Sequence, residues 1–138
     1  MEVHNLKLEE KFKRIRENEV RFEEINTADA EYIFVAYGLS ARICQKTMDL
    51  AREKGIKVGL LRPICVYPYP YKRLEELASQ VKCMISVELN SGQMVEDVQL
   101  AVKGKVPVEF IGKMGGLLFT PEEILQQLEK LIQQYHAN

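Results

Sequence analysis

The sequence lacks a surplus of charge of either sign: 19 Lys and Arg stand against 20 Asp and Glu, for a net charge of −1. No global field therefore favours nucleic acid or an anionic membrane surface. It also lacks a long apolar run, and none approaches the roughly 18 residues needed to cross a bilayer. The opening Met1-Glu-Val-His-Asn-Leu shows no basic-then-apolar signal segment, so the expected localisation is cytoplasmic. Cysteine is sparse: Cys44, Cys65 and Cys83 sit singly among apolar neighbours, without Cys-x-x-Cys spacing. That pattern argues against a disulfide framework, a zinc site or an iron–sulfur cluster, and predicts buried, inert thiols. His4 and His136 lie near opposite termini with no paired ligand spacing. No metal site is expected.

What is present is one domain's worth of chain, 138 residues with 46% apolar and 28% charged content, enough for a real core. A charged lead-in with a possible edge strand covers residues 1–28, and an α/β domain covers 29–138. In the lead-in, Leu8, Phe12 and Ile15 give a thin apolar stripe to a helix over Leu6–Glu19. Six basic and six acidic residues balance one another between Lys7 and Glu24, as on a solvated face. Val20–Ile25 places Val20 and Phe22 on one face of a candidate edge strand. Tyr32–Tyr37, Lys57–Arg62, Cys83–Val87 and Val108–Ile111 are expected as interior strands. Helices are expected over Ala41–Lys54, Lys72–Gln80, Gln93–Lys103 and from Thr120 onward. Ser40 is the expected N-cap of the first of these. Thr120-Pro121-Glu122-Glu123 combines a cap, a first-turn proline and a capping box. Alternating strands and helices predict a parallel sheet covered on both faces, a three-layer α/β/α arrangement.

Right-handed crossovers would gather the loops at 38–40, 63–71, 88–92 and 112–116 on one edge of that sheet. Open α/β sheets bind ligands and partners at that edge. Its candidate residues are Arg62, Glu88, Asn90, Ser91, Gly92, Gln93, Lys113, Gly115 and Gly116, centred on the turn after Val87. No catalytic set is found among them. Gly38-Leu39-Ser40-Ala41-Arg42 lacks the second glycine of a nucleophile elbow. Gly112–Gly116 has no Gly-Lys-Ser/Thr of a P-loop, although backbone amides there could hold an anion. Tyr37-Gly38 stands where a receiver domain would carry paired carboxylates for a hard cation. Glu96 and Asp97 are expected to face solvent, leaving Glu88 as the carboxylate placed in the loop edge.

Four ordered motifs carry a family resemblance. They are Val35-Ala36-Tyr37-Gly38 with Ala41-Arg42; Gly59-Leu60-Leu61-Arg62-Pro63 with Tyr67-Pro68; Val87-Glu88-Leu89-Asn90-Ser91-Gly92-Gln93-Met94 with Asp97-Val98; and Gly112-Lys113-Met114-Gly115-Gly116. With them the chain resembles the C-terminal domain of the α subunit of 2-oxoacid:ferredoxin oxidoreductases, the pyruvate, 2-oxoisovalerate and 2-oxoglutarate enzymes. The resemblance implies a transketolase C-terminal-like fold, with a mostly parallel sheet and one antiparallel edge strand. It implies a parent enzyme that decarboxylates a 2-oxoacid on thiamine diphosphate with Mg, passes electrons through iron–sulfur clusters to ferredoxin, and releases the acyl group on coenzyme A. The thiamine site and the cluster motifs would lie in other domains and subunits. This stretch is then a non-catalytic fragment, inactive alone, whose partners are the remaining α-subunit domain and the other subunits. The alternative reading is a free-standing small-molecule or anion-binding module on the same fold, because one scaffold hosts many functions.

Overall fold

The computed structural model describes residues 21–64, 69–89, 93–112 and 119–137. The expected lead-in helix over Leu6–Glu19 lies outside them, as do Cys65, Asn90–Gly92 and Lys113–Gly116. Nine elements follow in chain order: β1 (Phe22–Ile25), β2 (Tyr32–Val35), α1 (Gly38–Glu53), β3 (Val58–Pro63), α2 (Tyr71–Ala78), β4 (Cys83–Glu88), α3 (Gln93–Val102), β5 (Val108–Gly112) and α4 (Pro121–Ala137). The five strands form one sheet in the order β1-β3-β2-β4-β5. β2, β3, β4 and β5 are mutually parallel, while β1 runs antiparallel to β3 with Glu23 opposite Arg62. This is the expected three-layer arrangement with an antiparallel edge, and β4 is interior; Val108–Ile111, expected as an interior strand, is instead corrected to the opposite edge, because among the described residues β5 pairs with β4 alone.

Both faces are covered because the interior strands are almost wholly buried, and β2 is apolar at every position. In β2, Tyr32 and Phe34 enter one core with Cys44 and Met48 of α1 and Ile124 and Leu128 of α4. Ile33 and Val35 enter the other, with Leu74 and Leu77 of α2 and Met94 and Val98 of α3. A period-two strand buried on both sides reads as a continuous apolar run. The buried Thr47 hydroxyl lies 3.0 Å from the Ile43 carbonyl and 3.2 Å from the Pro121 carbonyl, tying α1 to the start of α4. At Thr120, the hydroxyl accepts the Glu123 N–H at 3.2 Å, the expected cap.

The edge strand is secured by a close approach. After β1, Asn26 turns the chain at φ 56°, and its backbone lies directly over Gly59. A Cβ at Gly59 would stand 2.7 Å from the Asn26 carbonyl oxygen. Arg52 locks the turn from the side, donating to the Asn26 carbonyl at 2.8 Å and to both Asp29 oxygens.

One expected cap is corrected. α1 begins at Gly38 rather than Ala41, its N-cap is Tyr37 without a side-chain hydrogen bond, and Ser40 is buried in the first turn. Gly38 adopts φ +59° and turns the chain straight from β2 into the helix, a conformation that glycine takes without penalty.

Candidate functional site

The strand order reverses between β2 and β4: β3 leaves to one side of β2, and β4 returns on the other. Outside the carboxyl ends of those two strands lies the switch point of the sheet, the usual ligand crevice of open α/β folds. Ala36 is buried there, and its N–H donates to the Leu61 carbonyl at 3.2 Å. Tyr37 and Leu39 follow, both exposed. On the far side of the crevice stands Glu88, the last residue of β4.

Glu88 is 1% exposed, and a buried carboxylate persists only where hydrogen bonds compensate its lost hydration. It has three. Oε1 accepts the Met94 N–H at 2.6 Å, while Oε2 accepts the Val95 N–H at 3.1 Å and the Ser86 hydroxyl at 3.2 Å. Met94 and Val95 belong to the first turn of α3, whose amides have no intrahelical acceptors and carry the positive end of the helix dipole. Glu88 thus caps α3 from six residues upstream. Ser86 and Glu88 share one face of β4, which gives the carboxylate a neutral donor within the sheet.

Tyr69 lies within reach of the Glu88 charge. Tyr69 is buried and meets Tyr71 edge to face, with ring centroids 5.1 Å apart at 61°. The Tyr71 hydroxyl donates to Asp97 Oδ1 at 2.9 Å. The Tyr69 hydroxyl is buried, without a hydrogen-bond partner among the described residues. Burial, followed by the negative charge of Asp97, pushes its pKa well above the usual phenol range. Asp97, expected to face solvent, is half-buried and accepts the Tyr71 hydroxyl at the surface, while Glu96 is exposed as expected.

The sequence-predicted residues divide as follows. Glu88 is at the crevice, committed to α3. Arg62 extends toward β1, where it pairs with Glu23 at 3.3 Å directly across the strand register. Gln93 opens α3. Asn90, Ser91, Gly92, Lys113, Gly115 and Gly116 lie outside the described residues. Ser86, Tyr69 and Asp97 were missed. The period-two spacing of Ser86 and Glu88 in an otherwise apolar strand was the available signal for the first.

The chemistry of this edge is limited. Glu88, the one buried carboxylate among the described residues, already accepts three hydrogen bonds, so its lone pairs are directed at α3 and Ser86 rather than at a reactant. The same two amides cannot also hold an anion. Among the described residues no group of three or more His, Cys, Asp or Glu could hold a metal ion. Cys44 and Cys83 are buried and unbridged. Burial raises both thiols, Cys83 to about 11. These residues do not fit an iron–sulfur cluster or a bound Mg ion. No helix among them is long and apolar enough to cross a membrane. The edge is instead apolar at its rim: Tyr37, Leu39, Ile64 and Tyr71 account for four of the six exposed large apolar side chains among the described residues. All four follow the carboxyl end of β2 or β3.

Comparison with known proteins gives a consistent family. Residues 30–124 match the family described as pyruvate:ferredoxin oxidoreductase core domain II. Ketoisovalerate oxidoreductase subunit VorB of Methanothermobacter marburgensis is 46% identical over 131 residues, covering 95% of this chain and 37% of VorB. The chain therefore spans well under half the length of that relative. Among solved structures, 2-oxoglutarate:ferredoxin oxidoreductase from Magnetococcus marinus, with 2-oxoglutarate, coenzyme A and succinyl-CoA bound, superimposes with a TM-score of 0.77. The match has 22% identity and covers 92% of this chain and 23% of that one. A split-gene transketolase, an inactive beta4 tetramer, gives a TM-score of 0.68 at 16% identity, over 80% of this chain and 40% of that one. At these identities the two structures speak for the fold.

Proposed function

Because this chain belongs to the pyruvate:ferredoxin oxidoreductase core domain II family, we propose that it is the C-terminal, non-catalytic domain of an oxidoreductase α subunit. The parent enzyme would oxidatively decarboxylate a 2-oxoacid to an acyl-coenzyme A. The domain would dock its carboxyl edge against the remaining α-subunit domain and border the active-site approach. Thiamine diphosphate, Mg and the iron–sulfur clusters would be held outside this stretch, with ferredoxin as acceptor of the whole enzyme and cytoplasmic residence. The observation that carries this reading is the rim of Tyr37, Leu39, Ile64 and Tyr71, exposed around a carboxylate already consumed by its own helix. Apolar side chains grouped at the functional edge of a fold mark contact with protein. In this proposal the loops carrying Asn90, Ser91, Gly92 and Lys113, Gly115, Gly116 complete the docking edge, with residues 1–28 as the lead-in.

Two measurements test it. The purified chain, given 2-oxoacid, thiamine diphosphate, coenzyme A and a viologen acceptor, is expected to show no turnover, because in this reading the thiamine site and the electron-transfer centres that stabilise and complete decarboxylation lie in other domains and subunits. Turnover above blank would overturn the assignment. In the complete enzyme, Leu39→Asp combined with Ile64→Asp is expected to impair assembly while this domain stays folded. Normal assembly and turnover would show that the rim does not dock.

A further inference from the structure

The chain enters the sheet at the apolar rim. β1 is antiparallel to β3, with Phe22 opposite Pro63, so β1 begins at the carboxyl end of β3. The pairing continues one step beyond the strand, because the Ile64 N–H donates to the Arg21 carbonyl at 3.0 Å. Residues 1–20 are therefore joined to the domain beside Ile64, at the edge that also carries Tyr37, Leu39 and Tyr71. β1, β3 and β2 are adjacent in that order. At the usual strand spacing of about 4.8 Å, the end of β2, with Tyr37 and Leu39 after it, stands about 10 Å from the point of entry.

We propose that the lead-in folds back over this rim as a helix and seats the stripe of Leu8, Phe12 and Ile15 on Ile64, Tyr37 and Leu39. Spacings of four and three place those three residues on one helical face. From Leu8 to Ile15 the stripe runs roughly 10 Å of helical rise, the distance from β1 to β2. The helix predicted by the sequence ends at Glu19, two residues before Arg21, so the tether holds it close to the rim. The other two exposed large apolar side chains among the described residues, Leu100 and Phe110, belong to α3 and β5. β5 is the opposite margin of the sheet, about 19 Å from β1. A short tether also presents the stripe at an effective concentration on the order of millimolar, which a separate protein would have to match. The six basic and six acidic residues between Lys7 and Glu24 balance, and a stripe of this kind covers neutral side chains without burying an unpaired charge. This contact lies within the chain and does not rest on the family assignment. In the complete enzyme the remaining domain would meet rim and lead-in together.

The sequence has no tryptophan, so a single introduced indole reports on the lead-in of the full chain. The indole of Phe12→Trp is expected to emit to the blue of a solvent-exposed indole and to be shielded from acrylamide. Glu10→Trp, on the opposite helical face, is expected to be exposed. Adding Leu39→Asp and Ile64→Asp to Phe12→Trp should shift the emission to the red and remove the shielding, with a cooperative urea transition showing that the domain stays folded. Ile64→Ser in the same background is a milder change at an exposed position, and should give a smaller red shift. A Phe12→Trp indole as exposed as that of Glu10→Trp overturns the proposal. So does a shielded indole that the rim substitutions leave unmoved, which would seat the lead-in elsewhere. Shielding that is lost on dilution would seat it on a second copy, and overturns the proposal as well.

Discussion

Glu88→Ala is the substitution with the clearest calculable consequence. It removes the acceptor of the Met94 and Val95 amides and of the Ser86 hydroxyl, at a site where Glu88 is 1% exposed. Loss of an ordinary helix cap costs about 0.5–2 kcal/mol. A buried donor left without a partner adds about 1–3 kcal/mol, partly relieved by water entering the space vacated by the side chain. The expected total is about 1.5–5 kcal/mol, a large share of the roughly 5–15 kcal/mol that holds a domain folded. Glu88→Gln keeps one carbonyl oxygen for Met94 but loses the charge facing the helix dipole, and should cost about 1–2 kcal/mol. With a urea m-value of about 2 kcal/mol per M, the midpoint should fall by about 0.8–2.5 M for alanine and by under about 1 M for glutamine. Amide exchange at Met94 and Val95 should accelerate in the alanine variant before global unfolding does. If both variants melt in urea like the wild type with an unchanged m-value, Glu88 is not the cap of α3 and the account of this crevice fails.

Gly59→Ala should destabilise by about 1–3 kcal/mol, because its Cβ would meet the Asn26 carbonyl at 2.7 Å, backbone against backbone; a thermal melt within a degree of wild type would refute that contact. The hydrogen bonds from Arg73 hold the Glu24 carboxyl below its usual pKa. A depressed folded-state pKa contributes stability that is complete above the unfolded value, near 4.5, and is lost as pH falls through the folded one. Solvent screening keeps that contribution to about 0.5–1 kcal/mol, and Glu24→Gln should flatten the acid limb of a stability–pH curve accordingly. Cys44 and Cys83 should resist a disulfide reagent at pH 8 until urea exposes them, since burial holds both thiols above the ordinary range and the thiolate is the reactive form. Tyr135→Phe removes the hydroxyl that links Glu109 and approaches Cys83 at 3.7 Å; it should cost about 1–2 kcal/mol and speed labelling of Cys83.

The strands were legible because their burial leaves little choice of composition. Tyr32–Val35 and Cys83–Glu88 are buried at every position, and such runs separated by helical spacing specify a covered parallel sheet. The antiparallel edge was legible too, since Phe22–Ile25 is short and carries the glutamates of a guarded margin. The misplaced start of α1 has a local cause. Ser40 has the composition of a cap, but the positive φ of Gly38 makes the turn two residues earlier and leaves Ser40 inside the helix. Site residues were harder, because their partners are set by tertiary position. Arg62 follows the loop edge in sequence, yet its side chain belongs to the β1–β3 ladder, where Glu23 stands opposite. Asp97 belongs to Tyr71, which lies 26 residues away. No spacing rule reaches either pair.

The fate of the α3 amides decides what the switch point can offer. In open α/β sheets the first turn of the helix after a switch-point strand leaves its N–H groups free, and the dipole makes that turn attractive to phosphate or carboxylate. Here the strand ends in its own carboxylate, and Glu88 turns back to occupy the Met94 and Val95 amides. An incoming anion would have to displace three hydrogen bonds and sit beside a buried negative charge, with Asp97 adding a second on the same wall. An anion-binding module placed at α3 is therefore disfavoured by the same contacts that stabilise the helix. What the crevice presents outward is apolar: Tyr37 and Leu39 after β2, Ile64 and Tyr71 after β3. Burying such side chains against another protein surface gains roughly 25 cal/mol per Å² removed from water and demands no free charge. A fold that elsewhere binds ligands at this edge has here closed the polar site with its own side chain and kept the apolar rim, which favours a contact surface.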